Sequence, residues 1–293
     1  MKFAVVAFLL LAFLNGAFSS YNETFVKYFV WPMAASAYSD HPELCVKDNF
    51  NSSDFKRRVE VECDILPIDN CVAFTAISHS EKAIIISYRG SLVTEVLMEV
   101  IDALSEKPVI AFNGNAKVLE YFLNAFNDLW YAGIKDDFLT LKNANPGYEL
   151  WVTGHSLGAA MASIAATTIA TTKLFDADKI KLVTFGQPRV GDHSYATLVD
   201  STIAYSYRII HQNDIVPTVP PSWLFNYYHH KSEVWYNNNM ADGKTYKECD
   251  DDENRHCSEG AIDLNILDHL FYFNVPANFP FAGCKDWNKY KNA

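Results

Sequence analysis

The sequence predicts an α/β fold, with a mainly parallel central sheet and helices packed on its faces. Three observations point there. Short apolar, β-rich runs alternate with stretches of helical period along most of the 293 residues. One such run, Leu150-Trp151-Val152-Thr153, ends in Gly154-His155-Ser156-Leu157-Gly158 and leads into an Ala-rich stretch. An even number of cysteines, six, lies downstream of an apolar N-terminal segment, which suits a domain stapled by disulfides.

Met1-Lys2 precede an uncharged run from Phe3 to Leu14, followed by Asn15-Gly16-Ala17-Phe18-Ser19-Ser20. A basic start, a short apolar stretch and small residues at its end describe a cleaved signal peptide. Ala17 and Ser19 fit the small positions, so residues 1–19 are expected to be the leader and residues 20–293 a single domain. The apolar run is too short for a bilayer, which takes about 20 residues. Secretion is the expectation, and an extracellular or a lysosome-like setting fits it. In an oxidising compartment the six cysteines pair, and spacing alone does not choose the partners. No Cys-x-x-Cys occurs, which disfavours zinc and redox readings. Asn22-Glu23-Thr24 and Asn51-Ser52-Ser53 are glycosylation sequons. A net charge of −11 disfavours nucleic acid and anionic membranes as partners, since both are negative.

Ala83 to Tyr88 reads as a buried strand stopped by Arg89-Gly90. Ala116 to Tyr131 carries Val118, Leu119, Phe122, Phe126 and Leu129 at helical spacing and reads as one helix. Glu149 to Val152 is the next strand and Ser156 to Lys173 the next helix. Lys181 to Phe185 and Ala204 to Ile210 follow as strands. In a parallel sheet the loops beyond the carboxyl ends of the strands gather into one site.

Gly154 and Gly158 flank Ser156 as a tight strand-to-helix turn requires, because a Cβ at either position would collide with the adjoining strand or helix. The alternative is a helix N-terminus capped by Ser156. A serine hydroxyl is a weak nucleophile until a histidine takes its proton and an acid orients that histidine. His41 and His79 precede Ser156, and His155 lies inside the turn, so the candidates are His193, His211, His229, His230, His256 and His269. Asp214 sits in Asn213-Asp214-Ile215-Val216-Pro217 after a strand, and His269 in Leu267-Asp268-His269-Leu270-Phe271-Tyr272-Phe273, between apolar flanks.

Five separated stretches together resemble the fungal-type triacylglycerol lipase family, the class 3 lipases. They are Tyr88-Arg89-Gly90-Ser91, Thr153 to Gly158, Thr184-Phe185-Gly186-Gln187-Pro188-Arg189-Val190-Gly191-Asp192, Asn213 to Pro217, and Leu267-Asp268-His269. The resemblance implies an α/β-hydrolase fold with a helical lid. It implies Ser156 as nucleophile, Asp214 as orienting acid and His269 as general base, with Ser91 and the backbone N–H of Leu157 forming the oxyanion hole. It also implies disulfides Cys45–Cys284, Cys63–Cys71 and Cys249–Cys257. The acidic run Asp250 to Glu253 lacks the alternating spacing of a calcium loop and reads as solvated surface.

In that family the region after Ser91 is the lid. Here Glu95, Glu99 and Asp102 share one helical face and leave Val93, Leu97, Val100, Ile101 and Leu104 on the other, with Leu92 and Val96 in the same segment. An amphipathic helix packed on the core is the alternative. Two features depart from the family: this segment has no Trp, and Lys117 to Phe122 lacks the His and Gly often found there. Trp223, Phe225, Tyr227 and Tyr228 are candidates for lining an acyl site or for the core. The resemblance implies a secreted, monomeric serine hydrolase of acylglycerol esters at a lipid–water interface, without metal or organic cofactor. A phospholipase A1, a feruloyl-type esterase of soluble esters, and a non-catalytic lipid-binding or lectin-like protein are the alternatives.

Overall fold

The main sheet keeps chain order from edge to edge. In the computed structural model, which describes residues 20–63, 70–90, 107–251 and 253–277, its strands are β1 Ser53–Glu62, β2 Asn70–Ser78, β3 Ala83–Tyr88, β4 Glu149–His155, β5 Ile180–Phe185, β6 Tyr205–His211, β7 Glu233–Tyr236 and β8 Lys247–Cys249. β3 to β7 run parallel. β1 and β2 extend one edge as antiparallel strands and β8 extends the other. The parallel middle of the sheet is what the sequence predicted.

Helices cover both faces, which explains why β3 is buried at every position. They are α1 Trp31–Ser36, α2 Pro42–Asn49, α3 Glu120–Leu129, α4 Lys135–Ala144, α5 Leu157–Thr171 and α6 His193–Thr202. Side chains alternate along a strand, so Ile84 and Ile86 point into one core with Phe122, Phe126, Phe138 and Ile164. Ile85 points the other way, to Met33, Val46 and Trp151. Trp31, Ala34 and Ala35 of α1 pack with Val183, Phe185, Ile209 and Tyr272 in a third cluster. Each large side chain buried this way contributes about 1.5–3 kcal/mol. The alanines of α5, among them Ala159, Ala160, Ala162, Ala165 and Ala166, are all buried, and their small side chains let the helix lie close to the sheet.

One expected helix begins later than its pattern suggests. Ala116–Val118 is a strand, paired with Val109–Ala111 and, at Val118, with Gly191. Leu119 keeps extended dihedrals, and α3 starts at Glu120. The apolar spacing was right for the face that is buried, but pairing with a segment far along the chain outweighed it. Cys63–Cys71 and Cys249–Cys257 are disulfides. Cys45 is disulfide-bonded too, and its expected partner Cys284 lies outside the described residues, as do Ser91, the 92–104 segment and residues 1–19. No helix among the described residues is long and apolar enough to cross a membrane.

Candidate active site

At the end of β4 the chain turns sharply into α5, and Ser156 occupies the turn with φ 60° and ψ −131°. Such a conformation costs about 1–3 kcal/mol for a residue with a side chain. Its neighbours show why only glycines fit. A Cβ on Gly154 would strike the carbonyl of Gly158, and one on Gly158 would strike the carbonyl of Tyr88 at the end of β3. Ser156 N–H donates to Phe185 O at 2.9 Å, tying the turn to the end of β5. Gly90 follows β3 so closely that a Cβ there would lie 2.7 Å from the Ser156 Cβ. The Leu157 N–H is in the first turn of α5, where the helix supplies no acceptor for its own N–H groups.

Asp214 stands after β6 and His269 in a short 3-10 turn, Ile266–Leu270. His269 Nδ1 is 2.8 Å from Asp214 Oδ2. Both side chains are buried, at 1% and 0% exposure. Two further donors serve the carboxylate: Tyr272 Oη–H reaches Oδ2 at 3.0 Å and the Val216 N–H reaches Oδ1 at 2.9 Å. The two loops are locked to each other. Asn265 N–H donates to Asn213 O at 2.8 Å, and Asn213 N–H donates to Asp268 Oδ2 at 3.1 Å.

Ser156 Oγ and His269 Nε2 are buried and have no hydrogen-bond partner among the described residues. A ring that donates through Nδ1–H to Asp214 leaves Nε2 as the nitrogen that faces away from the acid. The other downstream histidines are engaged elsewhere or sit at the surface. His211 Nδ1 donates to Asp268 O at 2.8 Å, and His229 Nε2 donates to Pro217 O at 2.8 Å. His230 is enclosed by Ser163, Gln187 and Ser206. His193 is the first residue of α6, its ring beside Tyr228, and His256 lies in the exposed loop closed by Cys249–Cys257.

His155, set aside in the sequence reading, is buried against the His269 ring with centroids 4.3 Å apart. Burial, and then the nearness of His269, push its pKa well below the ordinary imidazole value. Tyr38 Oη lies 2.7 Å from its Nδ1. Spacing gave no sign of Tyr38, and Tyr272 offered only a faint one, a hydroxyl in an otherwise apolar flank that needs a partner when buried. Tyr227 belongs to the core, whereas Trp223 is 82% exposed. Glu253, read as solvated, is instead held by Arg189, whose Nε and Nη2 reach its two oxygens at 2.8 and 2.7 Å. A guanidinium buried at 1% exposure needs that carboxylate. Asn22 and Asn51 are both exposed.

The class 3 lipase family model matches residues 85–223, from β3 past Asp214. A Caenorhabditis elegans lipase is 29% identical over 301 residues, covering 91% of this chain and 83% of that protein. A secreted mono- and diacylglycerol lipase of Fusarium solani is 34% identical over 210 residues, covering 70% of this chain and 60% of that protein. The chain thus spans less than two thirds of the length of this fungal relative. Among solved structures, the triacylglyceride lipase of Rhizomucor miehei superposes with a TM-score of 0.75 at 27% identity, over 89% of this chain and 98% of that one. With its ordered parallel sheet, its Gly-x-Ser-x-Gly turn and these matches, the chain belongs to the class 3 lipase family of α/β-hydrolase fold.

Proposed function

We propose that this chain is a secreted serine hydrolase of carboxylic esters, with acylglycerols as substrates. The observation that carries the reading is the 2.8 Å pair of His269 Nδ1 and Asp214 Oδ2, with Nε2 of that ring and Ser156 Oγ both buried and without a partner among the described residues. In the reaction His269 Nε2 accepts the Ser156 proton as Oγ attacks the ester carbonyl. Asp214 keeps the ring in the Nδ1–H tautomer and stabilises the cation that forms. The Leu157 N–H and Ser91 bind the oxyanion. His269 then protonates the leaving alcohol, and water removes the acyl group from Ser156 by the same route.

Ser156 is 2% exposed and His269 1%, so an ester reaches them only after their cover moves. An apolar cover opens where an oil surface gives it a better partner than water, and the 92–104 segment is our candidate for it. The acylglycerol class comes from the named substrates of the relatives, and a single domain over 20–293 behind a leader of residues 1–19 comes from the signal-like N-terminus. The test is hydrolysis of a short-chain triglyceride across its solubility limit, with Ser156→Ala as control. A sharp rise in rate at the limit, and a loss of about 10⁴-fold or more in the variant, are expected. Ser156→Ala retaining wild-type rate would remove the mechanism. Saturation below the limit would replace the lipase by a soluble esterase.

A further inference from the structure

His155 is the last residue of β4, covalently next to Ser156, and it also touches His269. Its Nε2 lies 2.8 Å from the backbone O of His269. A carbonyl only accepts, so Nε2 carries the proton, and in a neutral ring Nδ1 must then accept. Tyr38 supplies the matching donor, with Oη 2.7 Å from Nδ1. The tautomer is therefore fixed from both ends. Trp31 and Tyr272 close the remaining sides edge-on, at 5.8 Å and 5.6 Å between centroids. The ring lies at 31° to the His269 ring, face towards face.

Resting on the catalytic reading above, we infer that His155 is a positioning residue for the base, held neutral and in one tautomer by Tyr38 so that it fixes the His269 main chain relative to Ser156. No other side chain is both bonded to the nucleophile's own backbone and hydrogen-bonded to the residue that receives its proton. A shift of one is transmitted to the other, and the Oγ to Nε2 separation is set through a short rigid link. Among the described residues the groups facing His155 are Tyr38, Trp31, Tyr272 and His269, and none is a carboxylic acid. Asp214 accepts from the Nδ1 edge of His269, whereas the His155 nitrogens pair with Tyr38 and the His269 carbonyl. A neutral ring is what the site needs there, because a second cation against the His269 face would oppose the imidazolium that forms in the transition state.

The test uses His155→Phe, which keeps a ring without the N–H, His155→Gln, which restores an amide donor, and Tyr38→Phe, which removes one oxygen. Turnover of p-nitrophenyl butyrate and thermal unfolding are measured for the full mature chain. His155→Phe is expected to lower kcat by about 100-fold with KM within about twofold, because a base misplaced by a fraction of an ångström loses that much. His155→Gln should recover about tenfold of the loss, and Tyr38→Phe should lower kcat by about tenfold. A wild-type kcat in His155→Phe overturns the inference, as does a loss that glutamine does not recover and that follows the fall in melting temperature. Should His155→Phe not fold, Tyr38→Phe decides, and an unchanged kcat overturns the inference. If the wild-type chain neither turns over nor labels at Ser156 with a fluorophosphonate, the catalytic reading itself fails and this inference falls with it.

Discussion

Ser156 takes its geometry from contacts made within one strand, one turn and one helix, with the end of β3 pressed against them. Asp214 and His269 take theirs from loops far apart in the chain, joined by Asn213, Asn265, Asp268, Val216 and Tyr272. The two halves of the site differ in how they should fail. On the serine side sterics are unforgiving, since Gly158 faces the main chain of Tyr88 and Arg89, which cannot rotate away. On the acid–base side several modest hydrogen bonds share the task, and no single one carries it.

The sharpest way to break that contrast is Gly158→Ala. Its Cβ would meet backbone atoms of β3, and relief requires α5 or β3 to shift inside a close-packed interior. A loss of about 4 kcal/mol is expected from denaturant unfolding. A change below about 1 kcal/mol would mean that the turn has slack, and the distinction between the halves would collapse.

Acid should act next, through histidines buried on both sides. Burial, and then the Arg208 charge, hold His230 down to about 3. Burial lowers His155 and His229 as well, with His269 and Arg208 as the next causes. These residues are neutral in the folded chain and free to protonate once it unfolds. Unfolding therefore takes up protons as pH falls below the free imidazole value of about 6.5. The stability is whole above that value and is lost as pH falls towards 3. His230 alone accounts for about 2 kcal/mol by pH 5, and the other two act in the same direction. Unfolding midpoints at pH 7 and pH 5 measure the loss. Hydrogen exchange should show the segment around His229 and His230 opening early on this descent. A flat stability across that interval would mean that these histidines are not buried as neutral groups.

The same division governs what was legible in the sequence. The turn at Ser156 is legible because a pentapeptide between an apolar run and an Ala-rich stretch marks it, although the atoms that exclude a Cβ at Gly158 lie at the end of β3. The strands β3 to β6 were readable for a similar reason, each being an apolar run bounded by turn residues. Ala116–Val118 misled because apolar spacing records which side is buried, and its pairing with Gly191 leaves no trace in the segment itself. Which histidine meets Asp214 could not be read from spacing either; it rested on resemblance, and the fold adds the contacts that hold the two loops together. Tyr38 and His155 were missed because a hydrogen bond between α1's flank and the end of β4 exists only once the chain has folded. The 91–106 stretch, with Ser91 and the proposed lid, lies outside the described residues, so its role stands on resemblance.

The smallest expected effect is the most discriminating for the shared-task view. Tyr272 donates to Asp214 Oδ2, the oxygen that His269 also uses, while Val216 holds Oδ1. Tyr272→Phe removes one donor of three and keeps the ring packed against Trp31 and Phe185. A loss of about 1 kcal/mol is expected, seen as a kcat lower by about fivefold. The fold should keep its melting temperature nearly unchanged, because the variant leaves no buried donor behind and the carboxylate keeps two partners. A kcat lower by about 100-fold would show instead that the acid is aimed chiefly by Tyr272. The acid–base side would then be as brittle as the turn at Ser156, and redundancy would not be what lets loops from distant parts of the chain hold a proton-transfer geometry.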